Sequence, residues 1–329
     1  MLFRSQGLCV AGMAGAAWLL PGTAAGWAIV GLLVLFSLAR GFSSVAAKDV
    51  IGKTVPRTRR GRMTGLADSL AGGVSLLVGL GMFFGNRFTD LAPYTFLLLV
   101  VAAVAWWLAA LIYHGIEELP GATSGGGNAL TTALASLGLL RTDRPFRHFV
   151  IARSLLLCSA LSTPYVVVLA QRSTDGGIAL LGSFIVATGL AALLSGNVWG
   201  RMSDESSRRV MMWAAGITTF VLVAVAVSAQ VPALAELTWL YPLAVFTLGI
   251  AHSGARVGRK TYIVDLAGGN KRTDYVAVSN TAMGVILLAV GATTGVLGLL
   301  SITLVLLVFA ATGVAAVIVS YRLPEVQQH

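Results

Sequence analysis

Gly200-Arg201-Met202-Ser203-Asp204-Glu205-Ser206-Ser207-Arg208-Arg209 is a polar break between two apolar runs, roughly 177 to 199 and 210 to 229. Each run is long enough to cross a bilayer, because about 20 mainly apolar residues span the hydrocarbon core. So short a connection makes the pair a hairpin of membrane helices whose turn lies at one surface. Asp204 is the informative residue in that turn. A carboxylate at a helix end accepts hydrogen bonds from backbone amides at the start of a neighbouring helix, where the helix dipole also favours negative charge. The turn therefore reads as a latch between helices. The simpler alternative is a basic loop in which Asp204 caps its own helix.

Working outward, eight more stretches are comparable: roughly 5 to 20, 25 to 47, 63 to 85, 91 to 113, 149 to 171, 239 to 260, 276 to 299 and 302 to 321. With 57% hydrophobic and 11% charged residues and a mean hydropathy of +0.84, the chain lies outside the make-up of a water-soluble domain. Closed barrels also satisfy the backbone in lipid, but they show short alternating strands rather than runs of this length. The expectation is an all-α, polytopic transmembrane bundle of ten helices.

A net charge of +10 raises the question of nucleic acid, and the positions of the basic residues answer it. With the amino terminus inside, Arg87 and Arg172 alone of the 23 Lys and Arg fall outside. This positive-inside bias places both termini in the cytoplasm, in what reads as a bacterial inner membrane. The loops Lys48 to Arg62, Arg141 to Arg147, Arg201 to Arg209 and Arg256 to Arg272 then face anionic lipid headgroups, and no nucleic-acid partner is expected. Arg4 followed by an apolar run and Ala14-Gly15-Ala16 also has the form of a secretory leader. Cys9 and Cys158 lie in membrane runs, so they are expected as free thiols, without disulfide or metal-ligand spacing.

The chain also repeats itself. Phe36, Leu38 and Ser43 are echoed by Phe246, Leu248 and Ser253; Lys48, Arg60, Asp68 and Gly72 meet Lys260, Arg272, Asn280 and Gly284; Arg4 and Gly12 meet Arg208 and Gly216. In a hydrophobic protein such duplication points to a transporter built from repeats. It also makes the opening stretch the counterpart of Val210 to Ser228, which lies mid-chain and is no leader. The repeat divides the chain into residues 1–113, an incomplete first bundle of four helices; 114–147, a linker; 148–322, a six-helix bundle; and 323–329, a cytoplasmic tail. Within the linker, Ser124-Gly125-Gly126-Gly127-Asn128 is a flexible connector, and Asn128 caps an amphipathic helix running from Ala129 to about Leu140 along the membrane surface.

Residues Gly200 to Arg209 resemble the signature of the major facilitator superfamily. That signature is glycine, three residues, aspartate, a basic residue, one further residue, glycine and two basic residues between the second and third helices of each half. Gly200, Asp204, Arg208 and Arg209 fit, whereas Glu205 stands for the basic residue and Ser207 for the second glycine. The resemblance implies a twelve-helix fold of which the first two helices are missing here. Met1 then marks a fragment or a miscalled start, with a natural ten-helix form as the other reading. It also implies that Gly200, Asp204, Arg208 and Arg209 form a gate. Asp204 would hold the cytoplasmic side closed, while Arg208 and Arg209 would bind carboxylates or lipid phosphates. Arg40 is a weak match to a family arginine in the fourth helix. The glycine-proline signature of drug antiporters has no counterpart between Gly65 and Gly85.

Ionisable groups at membrane depth are costly and mark function. Arg40 and Asp68 fall at matched depths on successive helices, which suggests an ion pair or charge relay. The alternative is Arg40 reaching to headgroups while Asp68 pairs with Arg62. The repeat places Ile250 and Asn280 at these positions, so the chemistry is confined to the first half. Pro164 is expected to break its helix near the midplane and expose carbonyls. Ser162, Tyr165, His252 and Asn280 are candidates to line a substrate cavity, with helix-to-helix bonding as the alternative for each. His252 leaves proton or ion coupling open. Gly72, Gly73, Gly79 and Gly81, with Gly284, Gly291, Gly295 and Gly298, are expected to let helices approach closely. No catalytic cluster, phosphate loop, metal site or cofactor motif stands out. The sequence thus points to a secondary transporter of a small solute, or else to a non-transporting or truncated membrane protein that partners another membrane component.

Overall fold

The computed structural model describes residues 2–84, 91–116, 138–173, 177–267 and 272–327. The regular elements among them are all helices: α1 Leu2–Leu19, α2 Gly22–Thr54, α3 Arg57–Phe84, α4 Leu91–His114, α5 Leu139–Thr142, α6 Arg144–Leu155, α7 Cys158–Ser173, α8 Gly177–Ser228, α9 Pro232–Ala235, α10 Leu240–Leu266, α11 Arg272–Leu300 and α12 Ile302–Tyr321. The expected connector and its cap Asn128 fall outside the described residues.

The breaks follow local chemistry. Helix α2 stops at Thr54, just before Val55 and Pro56, where a proline disfavours helical conformation in the residue preceding it. Asp143 caps α6 by accepting from the Phe146 amide at 3.0 Å, with Pro145 in the first turn. Ser301 caps α12 through the Leu304 amide. At Ser206 the backbone of α8 becomes extended (φ −161°, ψ 97°), and the Ser206 hydroxyl accepts from the Arg209 amide at 3.2 Å. Helix α8 is therefore two passes joined at Ser206, which is the hairpin anticipated from Gly200 to Arg209.

Seven stretches are long and apolar enough to cross a membrane. One of them, Gly182–Ser228, makes two passes by virtue of Ser206. Adding α1 and α10 recovers the ten expected passes among the described residues; α10 carries Arg256, Arg259, Lys260 and Asp265 in its C-terminal half. Large apolar side chains stand bare along these passes, among them Phe220 at 74%, Leu288 at 77% and Leu299 at 86% exposure. Such surfaces fit lipid rather than water, and the molecule is an integral membrane protein.

Two compact units divide the chain: residues 1–54 with 86–123, and residues 55–85 with 124–329. By contact, α3 groups with the second unit although the repeat counts it with the first. In the first unit α1 packs on α2 and α4. Gln6 is fully buried there, and its amide donates to the Ser43 hydroxyl and the Ala39 carbonyl. Gly7 lies against Trp107, and Phe3 meets the rings of Trp106 and Tyr113.

In the second unit α8 is the hub, packed by α3, α10 and α12. The core between α7, α8, α10 and α12 is built on Tyr241, Leu248, Leu222, Leu306 and Phe309. Helix α3 runs antiparallel to α8 along small residues, because Gly61 meets Gly200, Gly65 meets Gly196, Gly72 meets Ala192 and Leu193, and Gly189 meets Leu76. A β-carbon on Gly65 would collide with the Gly196 carbonyl, and one on Gly200 would come within 2.7 Å of the Gly61 carbonyl. This is the close approach that small residues four apart allow in membranes.

Gly72 and Gly79 therefore act as anticipated, but Gly284, Gly291 and Gly295 face open space and Gly298 lies against the Tyr165 ring. The α11 glycines thus make no close crossing among the described residues. Pro164 likewise differs from expectation. It sits inside a continuous α7, and the interruption falls earlier, at Leu156 and Leu157, where tight turns such as Leu157 N–H to Ser154 carbonyl (3.1 Å) replace the α pattern.

Candidate functional site

One end of the second unit is organised by the first turns of α3. Asp204, at the end of the first pass of α8, reaches across the crossing and accepts from the Gly61 amide at 2.6 Å and the Arg62 amide at 3.1 Å. The Arg62 guanidinium lies 3.5 Å from the same carboxylate but is largely exposed, so the backbone bonds carry the contact. Gly61 is what permits it, since a β-carbon there would sit 2.7 Å from the Asp204 carboxylate and strike the Gly200 carbonyl. Gly200 and Asp204 are thus brought together with α3, as anticipated from sequence.

Arg208 and Arg209 separate. Arg208 pairs with Glu325 at 3.5 Å and donates to the Leu323 carbonyl at 3.1 Å. Arg209 is exposed, and only its backbone amide is engaged, by Ser206. Glu325 belongs to the chain's last described residues, which fold back into the hairpin. Its carboxylate accepts from the Ser206 hydroxyl at 2.6 Å, and Gln327 accepts from the Ser207 amide at 3.2 Å. Gln327 also donates to Asp265 at 2.7 Å, and Asp265 holds the buried Arg60 at 2.6 Å. Tyr262 donates to the Pro324 carbonyl at 2.9 Å. Sequence reading missed this tail network, because Glu325 and Gln327 carry no motif. The one available signal was Arg60, an arginine early in an apolar helix that needed a counter-charge.

Deeper in the unit lies a second set of charges. Asp68 is paired with Arg256 of α10 and accepts from the Ser253 hydroxyl. Both its oxygens are therefore taken by α10, whereas the expected partner Arg40 is exposed on α2 in the other unit. The correction has a simple cause. Depth was estimated along successive helices, but α3 crosses α10, and α10 presents Ser253 and Arg256 on adjoining positions of one face.

Arg153 of α6 donates to the Ser279 hydroxyl at 2.5 Å and to the Asn280 side-chain oxygen at 3.0 Å. Asn280 is thus engaged by an arginine within the bundle. His252 is half-buried, with Nδ1 3.4 Å from the Ser159 hydroxyl. Ser162 is fully buried, and its hydroxyl has no hydrogen-bond partner. Tyr165 packs on Phe309 at a ring separation of 5.9 Å and against Gly298, so its ring belongs to the packing of α7 on α11 and α12. Arg153 and Arg259 were not singled out from sequence. Arg259 fell in the expected basic loop Arg256 to Arg272 although it lies within α10, and Arg153 fell at the start of an expected span.

No family model matches the chain, and no curated protein matches it either. Solved structures do. A crystal structure of FucP, the E. coli fucose:proton symporter, superposes with a TM-score of 0.66 at 14% identity, covering 98% of this chain and 83% of that one. A second, of FucP as a major facilitator superfamily transporter in the outward conformation, gives 0.60 at 15% identity, covering 98% and 82%. The likeness extends over nearly the whole described chain, and its order of helices accords with the motif at Gly200 to Arg209. The chain has the fold of the major facilitator superfamily.

Proposed function

We propose that the protein is a secondary active transporter that moves a small solute by alternating access, with the end bearing Asp204 facing the cytoplasm. The observation that carries this reading is the reach of Asp204 onto the Gly61 and Arg62 amides across a glycine-lined crossing. A hydrogen bond to a charged group contributes roughly 1.5–3 kcal/mol. Such a contact is strong enough to favour one conformation and weak enough for ligand binding to reverse it. Backbone amides are suitable partners because they stay with α3 when it moves. The glycine seam gives the two helices smooth, close-packed surfaces that can separate without a side chain being extracted.

Gly200 supplies the close approach and Asp204 the latch. Arg208 anchors the tail to the same turn, while Arg209, exposed beside it, faces lipid headgroups. The fold neighbour FucP is described as a fucose:proton symporter, and proton coupling is the corresponding proposal here, with His252 and the Asp68–Arg256 pair as the titratable groups within the helices. In this reading the protein transports rather than catalyses.

The test is transport by the purified protein in liposomes. A panel of radiolabelled solutes should include one taken up above empty liposomes, with the rate depending on an imposed pH gradient, and Asp204→Asn should lower that rate at least several-fold. Ser203 is fully buried in the same turn, so a Ser203→Cys reporter should become more reactive in the Asp204→Asn background. A protein that moves no solute, and whose reporter does not respond, is instead a non-transporting membrane partner.

A further inference from the structure

The charges at mid-depth in the second unit do not balance. His252, Arg256 and Arg259 stand at i, i+4 and i+7 on α10, so they form one stripe of that helix. Arg153 on α6 faces the same region: Phe149 of α6 stacks on Tyr262 of α10 with ring centroids 5.2 Å apart, and Arg153 and Arg259 each stand about one turn further in. At about 1.5 Å per residue, Arg153 lies about 13 Å from the start of α6, and Asp68 about 16 Å from the start of α3. By the same measure, Arg256 and Arg259 lie about 15 and 10 Å from the end of α10. These depths approach the middle of a hydrocarbon core about 30 Å thick.

Among the described residues of this unit, Asp68 is the one carboxylate at that depth, and Arg256 holds it. Arg153 is left with neutral acceptors, and its Nε has no hydrogen-bond partner. Arg259 makes no hydrogen bond or ion pair with any described residue, although it stands beside two other arginines. Arg256, for its part, is about a third exposed, at 32% of its side chain, so this stripe of α10 borders open space rather than sealed core.

Two guanidiniums without a counter-charge in a bilayer carry a large desolvation cost, and structures hold such groups where a ligand or partner completes them. Guanidinium suits the task because its planar fork matches carboxylate and phosphate oxygens in pairs. We infer that Arg153 and Arg259, flanked by Arg256 and His252, form a binding site for a small solute bearing an oxyanion, either a carboxylate or a phosphate group. This deepens the transport reading by giving its solute a negative charge, and it rests on that reading only for the word transport. Asp68 neutralises Arg256 and so sets the site's net charge at two, suited to a mono- or dianion. A lipid headgroup carries the same oxyanion, but it lies at the bilayer surface rather than at this depth.

Binding to the purified full chain in nanodiscs, read separately from transport, tests the inference. The probes are acetate, succinate, inorganic phosphate and glycerol phosphate, with L-fucose as a neutral probe and chloride at matched ionic strength as the control. At least one of the anions should raise the midpoint of thermal unfolding and give saturable binding. Arg259→Gln should weaken that binding at least tenfold. Because Arg259 has no hydrogen bond or ion pair with a described residue, this variant should fold, and a thermal unfolding midpoint without ligand close to the parent's checks that it does. Arg153→Lys keeps the charge and loses the fork, and it should weaken binding severalfold. The inference is overturned if none of the anions exceeds chloride, if Arg259→Gln binds them as the parent does, or if stabilisation comes only from anionic lipid in the nanodisc. Anion binding without uptake would sink the transporter reading and leave the site standing; uptake of neutral solute without anion binding would do the reverse.

Discussion

The Asp204 end and the mid-depth region of the second unit treat charge in opposite ways. At the end, each buried carboxylate is met. Asp204 has two amides and Arg62, Asp265 has Arg60 and Gln327, and Glu325 has Arg208 and Ser206. About 10 Å further along α3, three arginines stand in the region of one carboxylate, Asp68, and Arg256 alone holds it. A network whose charges are matched within the chain favours one conformation, even though one Glu325 oxygen and the Ser203 hydroxyl have no hydrogen-bond partner. An incomplete one lowers its energy by taking something in. The same residue types serve, in our proposal, closure in one place and recognition in the other, and what separates them is whether the counter-charge comes from the chain.

The sharpest way to break this comparison is Asp68→Asn. It leaves Arg256 without its carboxylate, and loss of one partner of a buried pair costs about 3–5 kcal/mol. Thermal unfolding in detergent should show a large loss of stability, and Arg256→Gln in the same chain should restore part of it. Were Asp68→Asn as stable as the parent, the pair would be a surface contact and the mid-depth region no different from the end.

Next in size is Gly65→Ala. Its β-carbon meets the Gly196 carbonyl, and overpacking of this kind costs about 1–3 kcal/mol. Because the clash lies on the seam, it should also part α3 from α8, which a cysteine at Ser203 would report as faster labelling. Gly284→Ala is the matched control, since open space surrounds Gly284, and it should change neither stability nor labelling.

The smallest effect is expected for Gln327→Ala. It removes hydrogen bonds to Asp265 and Ser207, worth about 1 kcal/mol in total once water replaces them. If its unfolding shift matched that of Asp68→Asn, the tail would be a principal support of the fold rather than a trim on the Asp204 end.

How far the site could be read beforehand differs residue by residue. The contact of Asp204 with backbone amides was legible because it depends on position in a short turn, and a carboxylate at a helix end has few partners other than amides. Arg208 as the partner of a carboxylate was legible as a type of contact, but Glu325 was not, because nothing local ties a tail to a turn more than a hundred residues earlier. Asp68 was legible as a buried charge, and its partner was misassigned, since depth along a helix says nothing about which helix lies alongside. Arg153 was passed over because nothing in the sequence ties it to Ser279 and Asn280, more than a hundred residues later.

Composition, the lengths of the apolar runs and the spread of basic residues were enough to establish a polytopic helical membrane protein, and one turn was enough to suggest its fold. These properties are local or additive: each span must satisfy its own backbone in lipid, and each basic loop tends to one side independently of the others. Which helices touch was decided only by tertiary structure. The grouping of α3 with α8 depends on glycines facing one another in antiparallel register, and the pairing of Asp68 with Arg256 depends on the crossing of α3 and α10. Both are long-range coincidences in space, and sequence separation carries no record of them.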